Sequence, residues 1–215
     1  MKQIKKGKEP ASLLAHRKKH HANYDNYSEK EGLRDALVKE QGYICCYCMQ
    51  RIAPDAEKMK IEHRQPQKKY PELQLEYQNL LASCKGNDGK PKHLPRHCDT
   101  SKGDQEITIN PADQSKNCER LIKYRKNGRV YSDDPIIDHE LNDILNLNTQ
   151  TLVNCREAIR AQIIKELTNI KGRKFAWYSS DIKTKIQGYE SKINGKYSVY
   201  CQVVIDFLKK RIGEK

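Results

Sequence analysis

The spacing of four cysteines constrains this chain more than any other feature. The stretch "GYICCYCMQRI", residues 42–52, places Cys45, Cys46 and Cys48 within four positions, and Cys84 and Cys98 follow at the edges of two further compact segments. Cys45 and Cys48 have the two-residue separation that lets one tight turn aim two thiolates at a single tetrahedral ion. Cys46 lies between them, with its side chain expected to point elsewhere. A Cys46–Cys48 pair, with one intervening residue, is poorer geometry. A closed site needs two more soft ligands. Cys84 and Cys98 are the best candidates, with His93 or His97 as alternatives for one position. The expected ion is structural Zn²⁺, which in small zinc-stabilised folds contributes an apparent folding free energy of about 10–16 kcal/mol. Cys118, Cys155 and Cys201 lie in periodic segments and read as small buried hydrophobes.

Such a staple matters because apolar residues are scarce. Of 215 residues, 36% are hydrophobic and 32% charged. That is enough for one sizeable core, or for a small core with a helical appendage. Eight cysteines without a secretory leader argue against a disulfide framework. The first residues, "MKQIKKGKEP", are basic, but the adjoining "ASLLAHRKKHH" is too polar for a signal-peptide core. No apolar run is long enough to span a membrane. A cytoplasmic protein with no membrane association is the expectation. The net charge of +13 favours a polyanionic partner, above all nucleic acid. Residues 1–21 hold seven Lys or Arg against one Glu, with His16, His20 and His21 among them. This stretch reads as a solvated or phosphate-facing basic arm, and not as a second metal cluster.

Periodicity predicts a helix leading into the cysteine turn, with Leu33, Leu37 and Val38 on one face and Gly42 as its stop. A short strand enters "KIEH" at residues 60–63. "YQNLLASC", 77–84, reads as a helical turn or loop. Residues 85–97, rich in Gly, Pro and Lys, read as an exposed insertion. Asn127-Gly128 predicts a type I′ hairpin turn. Beyond it the pattern is helical. Leu141, Ile144, Leu145 and Leu147 mark a short helix. A longer one carries Leu152, Arg156, Ile159, Ile163, Leu167 and Ile170 as a stripe, and a last one groups Val199, Val203, Phe207 and Leu208. A soft boundary falls near residue 115. The organisation expected is a basic arm and helix over 1–40, a metal-bearing core over 41–115, and a hairpin with a mainly helical region over 116–215.

Between the cysteine pairs lie "IEH", "QNLL" and "CDTSKG". Hydrolysis of a phosphodiester needs a base for water and a cation to neutralise charge on the phosphate and the leaving oxygen. His63 suits the first task, with an unperturbed pKa near ~6.5. Glu62 and Asp99 are hard oxygen ligands suited to Mg²⁺ or Mn²⁺. Adjacent strand residues point to opposite faces. Glu62 and His63 can therefore serve one site only where the chain bends, which Pro66 favours. Lys68, Lys69 and Arg64, in or beside the basic and aromatic loop, are candidates for nucleic-acid contact.

The order "CYC…IEH…YQNLLASC…HCDTSKG" resembles the HNH endonuclease family with its ββα-metal active site. Together with "LRDALVKEQGYICCYC", "IEHRQP" and "LNLNTQTLVNCR", it looks closer still to the HNH effectors of Septu and retron-associated bacterial antiphage defence systems. The resemblance covers most of residues 1–156 and is weak beyond. It implies an α+β fold with a zinc-stabilised ββα-metal core. It also implies His63 as general base, Glu62 as a metal-binding acid, Asn79 as an orienting residue, and Asp99 where many members have a final metal-binding His. Cys45, Cys48, Cys84 and Cys98 match the zinc cysteines, and Lys102 a phosphate-contacting lysine. An ABC-type ATPase partner is implied as well, with the helical second half as a docking surface. Two departures stand out: Asp in place of the last His, and the thirteen residues inserted between Cys84 and Cys98. Readings that keep the same motif are a nuclease acting on DNA, a nuclease acting on RNA such as tRNA, and a non-catalytic zinc-stabilised nucleic-acid-binding module.

Overall fold

Leu33, Leu37 and Val38 are fully buried on the inner face of helix α2 (Lys30–Glu40), as their spacing requires, and the helix stops just before Gly42. In the computed structural model, which describes residues 1–169 and 177–213, this helix leads directly into the cysteine turn. It is preceded by α1 (Ala11–Arg17).

Strand β1 (Met59–His63) pairs antiparallel with β2 (Leu80–Cys84), with Glu62 opposite Leu81 and His63 opposite Leu80. The expected helical turn at 77–84 is thus a single 3₁₀ turn, Tyr77–Asn79, followed by a strand. All five residues of β2 are buried, so it shows none of the alternation that marks a half-exposed strand. A long loop over 85–97, exposed at 89–96, then returns the chain to α3, a one-turn helix at Asp99–Lys102. Gly86 sits where this loop closes on itself. Its φ is +54°, and a Cβ there would lie 1.9 Å from the His97 carbonyl oxygen.

A short helix α4 (Cys118–Leu121) precedes the second sheet, β3 (Lys123–Tyr124) with β4 (Val130–Tyr131). The connecting turn is not type I′, because Gly128 has positive φ (+73°) and Asn127 does not. Gly128 N–H donates to the Arg125 carbonyl, and Arg125 N–H to that of Arg129. This is a type I turn closed by a glycine bulge. Helix α5 (Pro135–His139) is capped by Asp134, which accepts from the Ile136 and Ile137 amides, and runs on as a π turn over Glu140–Ile144. Three helices close the chain: α6 (Gln150–Thr168), α7 (Ser179–Glu190) and α8 (Cys201–Arg211). The predicted stripe on α6 holds through Leu167, while Ile170 lies outside the described residues.

One buried cluster runs from Met1 to Val203 and draws on both sides of position 115. A smaller one joins α6, α7 and α8 through Ile163, Leu167, Ile182, Ile186, Val204, Ile205 and Leu208. Cys118 and Cys201 are buried and Cys155 partly so. The N-terminal stretch is not a solvated arm. Met1, Ile4 and Leu13 belong to the main core. Three of its seven cations pair with carboxylates, Lys2 with Glu119, Lys6 with Glu40, and Arg17 with Glu9 and Glu76, while Lys5, Lys8, Lys18 and Lys19 are exposed. A few apolar residues among the lysines are enough to anchor it. No helix among the described residues is long and apolar enough to cross a membrane.

Candidate metal centre and adjoining acidic groove

The cysteine turn is a tight hairpin in which Cys45 N–H donates to the Gln50 carbonyl and Met49 N–H to that of Cys45. It presents Cys45 and Cys48 toward the end of β2, which carries Cys84. Cys98, immediately before α3, closes the group. The four sulfurs lie within 4.8 Å of one another, and all four residues are buried. Cys45 Sγ is 3.9 Å from Cys98 Sγ, and Cys48 Sγ is 3.7 Å from Cys84 Sγ. A tetrahedral zinc with Zn–S bonds near 2.3 Å separates its sulfurs by about 3.8 Å. The donor set therefore fits zinc, and the eight cysteines are free of disulfides. Among the described residues, it is the one group of three or more His, Cys, Asp or Glu side chains that could hold an ion.

Second-layer donors face these sulfurs. The Cys84 amide points at Cys45 Sγ at 3.3 Å, and Ser83 Oγ lies 3.7 Å from the same sulfur. His97 is buried, with Nδ1 3.2 Å from Cys98 Sγ and 4.0 Å from Cys84 Sγ. It is thus a neighbour of the cluster and not one of its four corners. His93 is exposed in the 85–97 loop. Cys46 is buried outside the cluster, its amide bonded to the Ala82 carbonyl. His16, in the N-terminal basic stretch, bonds Asn26 Oδ1 and the Asn23 carbonyl.

Beside this centre, a groove of about 340 Å³ is lined by Glu62, His63, Asp99, Lys60 and Lys102, with Arg96 at its edge. Glu62 is 1% exposed and lies beside Asp99. Burial, with Asp99 alongside, pushes the Glu62 carboxyl well above its ordinary range. Burial also pushes Asp99 up, but the neighbouring Glu62 and the ammonium of Lys60 outweigh this and hold it below the usual value.

His63 ends β1, and the chain bends at once, so its ring enters the groove despite following Glu62. Its Nε2 is 3.0 Å from the Gln74 carbonyl oxygen. A carbonyl only accepts, so Nε2 carries the proton and Nδ1 keeps the lone pair. The Tyr24 ring packs edge-on against it, with centroids 4.5 Å apart. Burial holds the His63 pKa below its ordinary 6.5, so the ring is neutral at pH 7. Asn79 does not reach His63 directly. Its Oδ1 accepts from the Gln65 amide at 2.7 Å, and its Nδ2 donates to the Gln65 and Leu73 carbonyls. It pins the loop whose Gln74 carbonyl orients the histidine.

Lys102 is not poised for a phosphate. It is 1% exposed, and its ammonium meets three acceptors: Glu62 Oε1 at 2.9 Å, the His63 carbonyl at 3.1 Å and the Gly103 carbonyl at 3.4 Å. With three hydrogens and three acceptors, it is an internal tie between β1 and α3. Lys68 is largely exposed at 81% and lies 3.8 Å from Asp104 Oδ2, Lys69 pairs with Glu106 at 3.0 Å, and Arg64 points Nη1 at the Ile107 carbonyl.

Two groups at the groove escape the sequence reading. Tyr47, inside the cysteine turn, donates its hydroxyl to Glu62 Oε1 at 2.6 Å and so links the two centres. Lys60 Nζ lies 3.1 Å from Asp99 Oδ2. Strand alternation could have found Lys60, since it shares a face with Glu62 two residues on. Nothing local marks Tyr47.

No protein-family profile matches the chain. Over 120 residues it is 29% identical to the Septu protein PtuB of Bacillus thuringiensis, a match that spans 55% of this chain and 42% of that protein.

Proposed function

We propose that the groove is the active site of a metal-dependent HNH-type endonuclease that hydrolyses phosphodiester bonds, DNA first, in a bacterial antiphage defence system. The single observation that carries this is His63: its Nε2 is tied to the Gln74 carbonyl, its Nδ1 has no hydrogen-bond partner among the described residues, and it lines a groove with the buried Glu62 and the partly buried Asp99. The partial likeness to a Septu protein favours the defence setting, and the motif resemblance suggests an ATPase partner.

In this reading His63 Nδ1 takes the proton from a water aligned for in-line attack on phosphorus. Asn79 and Gln74 keep the ring fixed through that transfer. Glu62 and Asp99 would hold a Mg²⁺- or Mn²⁺-class cation, which supplies charge neutralisation on the phosphate and the departing 3′ oxygen. Tyr47 and Lys60 steady those carboxylates. Zinc on the four cysteines holds the scaffold and takes no part in the reaction. Lys68 and Arg96, exposed and paired with the surface carboxylates Asp104 and Asp88, flank the groove and would exchange those partners for a polyanion.

The test is incubation of purified wild type and His63→Ala with DNA and with tRNA, in Mg²⁺, Mn²⁺ or a divalent-free buffer. Wild type is expected to cleave DNA only with added metal. His63→Ala should lose cleavage by about 10²-fold or more while keeping its zinc. Unchanged cleavage by His63→Ala removes the assignment, and cleavage of tRNA alone replaces DNA with RNA. Binding without cleavage under every condition makes the protein a non-catalytic adaptor. Co-purification with the neighbouring ATPase tests the partner.

The same base sets a pH profile. Its neutral form is the active one and its pKa lies below 6.5. A nearby cation moves it further in the same direction. The rate should therefore be level at neutral pH and fall only on the acid side, with a midpoint under 6.5. A midpoint at or above 7 would point to a different base.

A further inference from the structure

Between α6, α8 and the turn after β3 lies a cavity of about 320 Å³ that shares no lining residue with the groove at His63. Its size falls in the range of small-ligand sites. One wall is a run of stacked planar groups. Trp177 and Phe207 meet edge to face, with centroids 6.0 Å apart. The Arg211 guanidinium lies 4.6 Å over the Trp177 ring and that of Arg160 4.8 Å over Phe207. The rim is formed by Arg125 and Lys126, both exposed.

The charge of this cavity is not balanced from within. Among the described residues, Asp206 is the one carboxylate in the lining, and it is engaged with Lys210 at 2.7 Å. Arg156 is spent on the carbonyls of Gly128 and Leu147 and on Asn148 Oδ1. Arg160 donates Nη1 to the Lys126 carbonyl, while its Nε is buried with no hydrogen-bond partner among the described residues. Arg125, Arg160 and Arg211 thus line the cavity with aromatic rings or a carbonyl as partners, the Tyr131 ring under Arg125 lying outside the lining, and Lys126 is a further cation there beside the engaged Arg156 and Lys210. Two aromatic rings flanked by guanidinium planes make a surface for a flat π-system, and the cations beside them suit a phosphate. A simple anion would leave the aromatic wall unused, and an uncharged aromatic would leave the cations without a counter-charge.

We propose that this cavity binds a nucleotide unit, with its base against the Trp177–Phe207–arginine wall and its phosphate on Arg125, Lys126 and Arg160. This site stands apart from the proposed nuclease groove and does not depend on cleavage there. The same chemistry is offered by a free nucleotide and by one residue of a single strand, and the experiment separates the two sources.

Trp177 is the chain's one tryptophan, so its emission reads this cavity directly. The full chain, with no added divalent metal, is titrated with AMP, UMP, inorganic phosphate and a short single-stranded oligonucleotide, each to about millimolar. A saturable change in Trp177 emission with mononucleotides assigns a free nucleotide; a change with the oligonucleotide alone assigns a strand. In either case the Arg125→Glu/Lys126→Glu variant, altered only at exposed positions, should bind about tenfold or more weakly with its circular dichroism unchanged. Arg160→Ala should behave likewise. The proposal is overturned if no nucleotide or oligonucleotide gives saturation, if phosphate alone gives the same response, or if the folded rim variant binds as tightly as wild type.

Discussion

Around the four cysteines the chain has little regular structure: two five-residue strands, a one-turn helix and long loops. The α6–α8 cluster is built from helices of 19, 12 and 11 residues that pack Ile163, Leu167, Ile182, Ile186, Val204 and Leu208 together. The first region gathers segments far apart in sequence, Cys45 to Cys98, at one point. The second gains its order from apolar surface spread along whole helices. A point constraint needs few residues but particular ones. It can also hold a polar groove open beside it, where a hydrophobic core would close. The molecule places the buried Glu62 and the partly buried Asp99 next to the point constraint.

The largest expected effect tests the point constraint. Cys48→Ala should lose zinc, measured by metal analysis, and with it the cooperative unfolding of the chain, because apparent zinc contributions run to about 10–16 kcal/mol. Cys46→Ala should keep the full zinc content. A metal-free Cys48→Ala protein that still unfolds cooperatively would show that apolar packing alone supports this region.

Next comes the helical cluster. Ile163 is fully buried, and Ile163→Ala should cost about 2–5 kcal/mol in denaturant unfolding while zinc stoichiometry stays unchanged. Zinc loss in this variant would mean that the two regions fold as one unit. The smallest effect concerns a local cap between them. Asp134 accepts two amide hydrogens at the start of α5, and Asp134→Ala should cost about 1 kcal/mol with no change in zinc. A cost near zero would show that the π-extended end of α5, held by the core, makes its cap dispensable.

Much of this was legible in residue order. The Cys-x2-Cys turn, the α2 face, the 85–97 loop and most of the α6 stripe follow from local spacing alone. Strand β2 was not legible, because a strand buried on both faces carries no period. Lys102 and the N-terminal lysines misled for a related reason. A lysine reads as a surface cation unless its acceptors are known, and those acceptors, Glu62, the His63 carbonyl and Glu40, come from distant segments. Arg156 broke the apolar stripe of α6 with no local reason; only the folded chain shows the carbonyls of Gly128 and Leu147 that accept from it.

Residue types and short spacings decided which candidate ligands and which imidazole the chain has to offer, since thiolate, carboxylate and imidazole chemistry belong to the side chains themselves. Which of them meet was decided in three dimensions. Hydrogen-bond partners and burial arise from segments brought together across tens of residues. They made Cys98 and not His97 the fourth corner, tied His63 Nε2 to Gln74, and buried Glu62 between Tyr47, Lys102 and Asp99.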